Sequence, residues 1–276
     1  MTATADRLET SDSPEATRRN DYVATVPSVS VLAQRNLIRL FRTPAILVPM
    51  VVMPLFFVIA FTGSFDGISQ VEGYPTPKII NWVAAFALLQ GASFAGVGTA
   101  GAVANDLENG FIDRLLVSPI RRSTILVAPL VYTAVRALIP ITVVLIASLL
   151  QDADFPGGIV GLLLVYIGGV GGALVLGAFG LAVVLRMGDI KAMAIVQMVS
   201  FLLMFPSIGQ VPISLLQGWM RTAARINPVT NVMRMIRQGF LGEVTWADTW
   251  PGLLVIAIGL TVFMSWARYE LERRNP

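Results

Sequence analysis

Between Asn105 and Arg122 the chain reads NDLENGFIDRLLVSPIRR, its densest stretch of polar chemistry. Asp106, Glu108 and Asp113 stand beside Arg114, Arg121 and Arg122, Gly110 interrupts the run, and Ser118 and Pro119 stop it. Phe111, Ile112, Leu115, Leu116 and Val117 fall between the charges, so the stretch predicts a short amphipathic helix. Such a helix can seat its apolar face in a partner while its charges fix the register. The plainer reading is an ordinary charged loop. A second singular residue is Arg136, a lone cation inside a long apolar run about 20 Å of helix rise beyond Ser123. A charge so placed either faces a polar cavity or holds an anionic headgroup, or it snorkels towards the cytoplasmic side of a membrane or caps backbone carbonyls where the helix extends beyond the bilayer.

Other chemistry is excluded by what the chain lacks. It has no cysteine and no histidine, which removes thiolate catalysis, disulfides and the usual zinc sets. Its only lysines, Lys78 and Lys191, follow Pro77 and Ile190, so no Gly-x-x-x-x-Gly-Lys-Ser/Thr phosphate loop exists. No acid interrupts any apolar run, so the intramembrane carboxylate of an ion-coupled carrier is missing. The net charge of +3 is spread over the ends of apolar runs, which argues against nucleic acid as a partner.

The elements that must position these residues are membrane helices. Of 276 residues 55% are hydrophobic and 13% charged, too few charges for the surface of a soluble domain. Reading from charge to charge gives six apolar runs: 43–65, 79–105, 123–151, 155–185, 192–220 and 249–267. Each allows the roughly 20 residues of a spanning helix, with Pro206 and Pro212 expected to end the fifth early. The expected fold is therefore an all-α integral membrane protein with six transmembrane helices over 43–267. Residues 1–27 read as a disordered cytoplasmic tail and 268–276 as a cytoplasmic C-terminal tail. Residues 28–42 read as an amphipathic interfacial helix with Arg35, Arg39 and Arg42 on a basic stripe facing anionic lipid.

With both termini inside, fourteen basic residues lie in inner segments and five in outer ones, as the positive-inside rule requires of a cytoplasmic-membrane protein. Trp82, Trp219, Trp246, Trp250 and Trp266 fall near the expected span ends, as in an aromatic belt. The fourth run carries nine glycines from Gly157 to Gly180, which suits close helix packing within the chain or a dimer or transport surface. After the fifth run, Asn227 and Pro228 read as N-cap and first residue of a helix that Gly242 ends. Arg234 and Arg237 share its polar face, where they would meet outer-leaflet phosphates.

The order acid-x-x-Gly, Asp-Arg, Leu-Leu, Ser-Pro, Arg in the charged loop resembles the signature of type-2 ATP-binding-cassette permeases, especially the daunorubicin/doxorubicin-resistance efflux branch. The stretch ARINPVTNVMRMIRQGFLG resembles that family's Asn-Pro motif, and the basic helix before the first span resembles its connecting helix. The resemblance implies a coupling helix bearing Asp106, Glu108, Gly110, Asp113, Arg114, Ser118 and Pro119, seated on a separate ATPase. It also implies outer re-entrant helices around Asn227, Pro228, Arg234 and Arg237 that help close the path, with Arg136 a candidate path residue.

The function so implied is the non-catalytic permease subunit of an exporter of drugs, lipids or glycans, with antibiotic resistance among its outcomes. Two copies of a cytoplasmic P-loop ATPase would bind ATP and Mg, and a second permease chain, identical or related, would complete the path among membrane lipids. No cofactor is expected on this chain. The alternatives are an ion-coupled secondary transporter and a non-transporting membrane scaffold or regulatory subunit.

Overall fold

The computed structural model describes residues 25–118, 120–207, 209 and 211–274. Most of the expected N-terminal tail, and Pro119, lie outside them. Among the described residues the fold is helical throughout: α1 (Thr25–Arg42), α2 (Pro44–Phe65), α3 (Ile79–Glu108), α4 (Phe111–Leu116), α5 (Arg122–Leu150), α6 (Gly158–Met187), α7 (Ala192–Met204), α8 (Gly218–Ile226), α9 (Pro228–Leu241) and α10 (Trp246–Arg273). Five of these, α2, α3, α5, α6 and α10, are long and apolar enough to cross a membrane.

The expected fifth span is not one helix. Proline at 206 lacks an N–H and crowds the preceding turn, so α7 stops at Met204 after 13 residues. That is about 20 Å of rise, short of the roughly 30 Å hydrocarbon core. The chain continues through turns before α8 begins at Gly218. At its other end, α10 extends through residues read as a tail. Trp266 Nε1 donates to Glu270 at 2.9 Å, Arg268 pairs with Glu272 at 2.8 Å, and Arg274 donates to the Leu185 carbonyl, so this turn docks on the end of α6.

The centre is α3, whose most apolar 18-residue window is 89% buried, against 17% for that of α2 and 11% for that of α10. Its small residues let neighbours approach: a Cβ on Gly96 would meet the Ala173 carbonyl of α6 at 2.6 Å, and one on Gly91 would meet Pro140 of α5 at 2.7 Å. Apart from Gly158, the glycines of α6 are used within the chain. Gly161 lies against Gly239 of α9, Gly169 against Ile141 of α5, Gly171 against Ile256 of α10 and Gly180 against Ala100 of α3. Exposed Val48, Val52, Phe56 and Ile59 leave one face of α2 for lipid or another chain.

Candidate functional site

The charged loop folds as expected for its local signals. Asn109 closes α3, Gly110 takes φ +65°, where side chains are strained, and α4 follows at once. Ile112 is buried, and the cleft under it is shared by Leu32 and Asn36 of α1, Val103 of α3 and Ile125 of α5. The charged residues then divide into two groups. Asp106 is buried and pairs with Arg35, with Arg39 second at 3.9 Å, so it fastens α1 to α3. Glu108 accepts from the Ile190 N–H at 2.9 Å, which fastens the α6–α7 turn to the same end. Ser118 donates to the Leu115 carbonyl at 2.7 Å and closes α4. By contrast Asp113 and Arg114 are exposed, and Val117 is 87% exposed beside them.

Arg35 corrects the reading of α1 as a helix whose basic stripe faces lipid. Its guanidinium pairs with Asp106 and lies 3.9 Å from the Phe111 ring centroid, because a buried carboxylate requires a cation more than the membrane surface does. The partners are 71 residues apart, so no local pattern could have joined them.

Arg136 is buried on α5, pressed against Gly98 of α3, where a Cβ would fall 2.1 Å from Nη1. It donates through Nη1 to the Tyr132 hydroxyl at 3.2 Å and through Nε to the Met50 sulfur at 3.3 Å. Beside it is a cavity of about 330 Å³ also lined by Asn36, Arg39, Asn105 and Gln197. A separate cavity of about 380 Å³, almost wholly apolar, lies among α3, α6, α7, α9 and α10 and reaches Leu89, Leu203, Pro228 and Phe263.

In the half of the bundle far from α4, Asn227 caps α9 by accepting from the Val229 N–H at 3.0 Å, Pro228 follows, and Gly242 ends the helix at φ +84°. The Asn227 amide also donates to the carbonyl of Leu203 at 2.5 Å, near the end of α7. Ser214 lines the far end with Trp82, Leu241 and Asp248, so α8 carries the chain inward from there and α9 carries it back out. Arg234 is exposed, as its polar face suggested. Arg237 is not: it is 2% exposed, stacks 3.5 Å from the Trp82 ring and donates to the Trp82 carbonyl at 3.3 Å and the Gly209 carbonyl at 3.5 Å. Trp82 is thus an internal platform, whereas Trp219 and Trp246 are exposed in the manner of interface anchors.

A clip that the sequence did not suggest joins the start of α3 to the α5–α6 turn. Lys78 Nζ meets Asp154 at 2.9 Å and Asp152 at 3.1 Å, and Asn81 exchanges two hydrogen bonds with Asp154. The hydrogen bond to Asp154, then that to Asp152, raises Lys78 above its ordinary value. The hydrogen bonds from Lys78 and Asn81 lower Asp154.

The sequence pattern of the family described as "ABC-2 family transporter protein" matches residues 69–267. Similar proteins include the putative transport permease ycf38 of Porphyra purpurea, 24% identical over 245 residues and 83% of each chain. That of Pyropia yezoensis is 23% identical over 252 residues and 84% of each chain. That of Cyanophora paradoxa is 24% identical over 226 residues, covering 77% of this chain and 73% of its own.

Proposed function

Since the chain belongs to the ABC-2 transporter family and is a transport permease, we propose that it is the membrane subunit of an exporter driven by a separate cytoplasmic ATPase, which binds ATP and Mg. The observation that carries this reading is the division of charges around α4. Asp106 and Glu108 clamp the end of α3 internally, while Asp113, Arg114 and Val117 are presented outward on a helix rooted between two long ones. A partner that moves α4 therefore moves α3 and α5 with it. With no phosphate loop in its own sequence, the chain needs nucleotide energy from such a partner.

In this reading α4 is the coupling helix, both termini are cytoplasmic, and the cytoplasmic end carries α1, α4 and the end of α10. In part through α7, segment 192–217 makes the sixth crossing, and α8–α9 is a re-entrant hairpin at the outer end. Two permease chains pair in the membrane and bind two ATPases. The membrane is the cytoplasmic one, and the cargo is an amphipathic drug, lipid or glycan moved outward.

The test is purification of the tagged chain with its ATPase, followed by Asp113→Asn with Arg114→Gln. The wild-type chain is expected to bring down a Walker-A ATPase in equal number. The double variant is expected to keep the folded permease and lose ATP-dependent transport into vesicles. A reproducible absence of any such ATPase overturns the reading, and unchanged assembly and transport in the double variant remove the coupling role of α4.

A further inference from the structure

The cavity beside Arg136 is bounded by α1, α2, α3, α5, the α6–α7 turn and α7. Its polar lining is one-sided. Arg136 and Arg39, the latter also 3.9 Å from Asp106, supply two cations, Asn36, Asn105 and Gln197 supply amides, Tyr132 supplies a hydroxyl, and no Asp or Glu lines the cavity itself. Among the described residues Arg136 makes no ion pair, and of its five N–H groups those on Nη2 have no hydrogen-bond partner. A guanidinium held at this depth by a tyrosine hydroxyl, a thioether and a glycine is oriented, but its charge is not neutralised.

The remaining walls are apolar: Leu40, Pro49, Met50, Phe94, Val97 and Met193. The volume of about 330 Å³ suits a headgroup and its first methylenes, not a whole lipid. Longer chains can leave along the exposed Val48, Val52 and Met53 of α2 and Met198 of α7. An occupant therefore needs a compact anionic end, which a planar guanidinium grips through paired oxygens, and an apolar body.

We propose that this cavity binds the anionic phosphate head of an amphiphile, with Arg136 at the closed end, Arg39 as the second cation, and the acyl or alkyl part along α2 and α7. The assignment concerns binding to this chain and stands apart from the ATPase reading.

The test is native mass spectrometry of the full chain in a nonionic detergent, titrated with short-chain phosphatidylglycerol, the matching phosphatidylcholine and inorganic phosphate. Phosphatidylglycerol is expected to be retained at one per chain. The zwitterionic lipid should bind about tenfold more weakly, as loss of a net charge at a charge-assisted contact implies. Arg136→Gln is expected to weaken phosphatidylglycerol by about tenfold. Gln197→Glu, at a half-buried position and with its folding checked by size exclusion in detergent, should weaken it similarly by placing a carboxylate in the cavity. Failure of the wild-type chain to retain phosphatidylglycerol, equal retention of the two lipids, or unchanged binding in Gln197→Glu overturns the site. Displacement by inorganic phosphate at equal concentration overturns the amphiphile and leaves a site for free phosphate.

Discussion

Arg136 and Arg237 are both buried cations in an apolar chain, and the difference between them lies in what surrounds the guanidinium. Arg237 is enclosed by protein, with the Trp82 ring on one face and the carbonyls of Trp82 and Gly209 at its edge. It ties the non-helical 205–217 segment to α3, supplying donors to a carbonyl that no helix satisfies. Arg136 is steadied at two atoms and opens on a cavity. A buried cation consumed by main-chain carbonyls belongs to the fold, whereas one left facing space is available to something else.

The sharpest way to break this contrast is to remove each charge at constant bulk. Arg237→Met leaves two carbonyls facing Met, and the expected cost is about 3 kcal/mol or more, read as a lowered thermal midpoint or as aggregation on size exclusion in detergent. Arg136→Met, beside a cavity, should change stability by about 1 kcal/mol or less. Equal losses from the two would erase the distinction. A smaller effect separates the acids of the loop: Asp106→Asn should cost about 1 kcal/mol by unseating Arg35 in its partly buried pair. Asp113→Asn should leave the midpoint within about 0.5 kcal/mol of wild type, as for an exposed charge.

The smallest effect is that of the clip at the far end, whose groups are exposed. The lowered Asp154 contributes above its unfolded value of 3.8, and the contribution is lost as pH falls through the lower folded value. The raised Lys78 contributes below 10.5 and loses its contribution as pH rises through the higher folded value. The difference in thermal midpoint between wild type and Asp154→Asn is therefore expected to be flat from 3.8 to 10.5 and to close on either side. A slope near neutrality would show that other groups govern this end.

Five spans, α1 and the caps of α9 were legible because hydropathy, Pro228 and Gly242 act locally. The break at Pro206 was also visible in the sequence, but not what replaces the missing half-helix. That depends on Arg237 finding the carbonyls of residues 155 and 28 positions away. The same limit applied to Arg35 and Asp106 and to Lys78 with Asp154. Ion pairs between distant segments leave no periodicity, so charges read as lipid-facing or loop-borne proved to fasten distant segments to one another. Arg136 stood out from sequence by its isolation alone, yet the glycine that seats it, Gly98, was indistinguishable from the other small residues of α3.

The early end of α7 has a mechanical consequence. A continuous helix resists stretching because its ladder must fail cooperatively, whereas the turns that follow Met204 can lengthen or swivel by changing a few dihedrals. The bundle thus has one compliant strut among stiff ones, placed next to α3 and held shut by the Arg237 clasp. Under strain this segment yields before the continuous helices do.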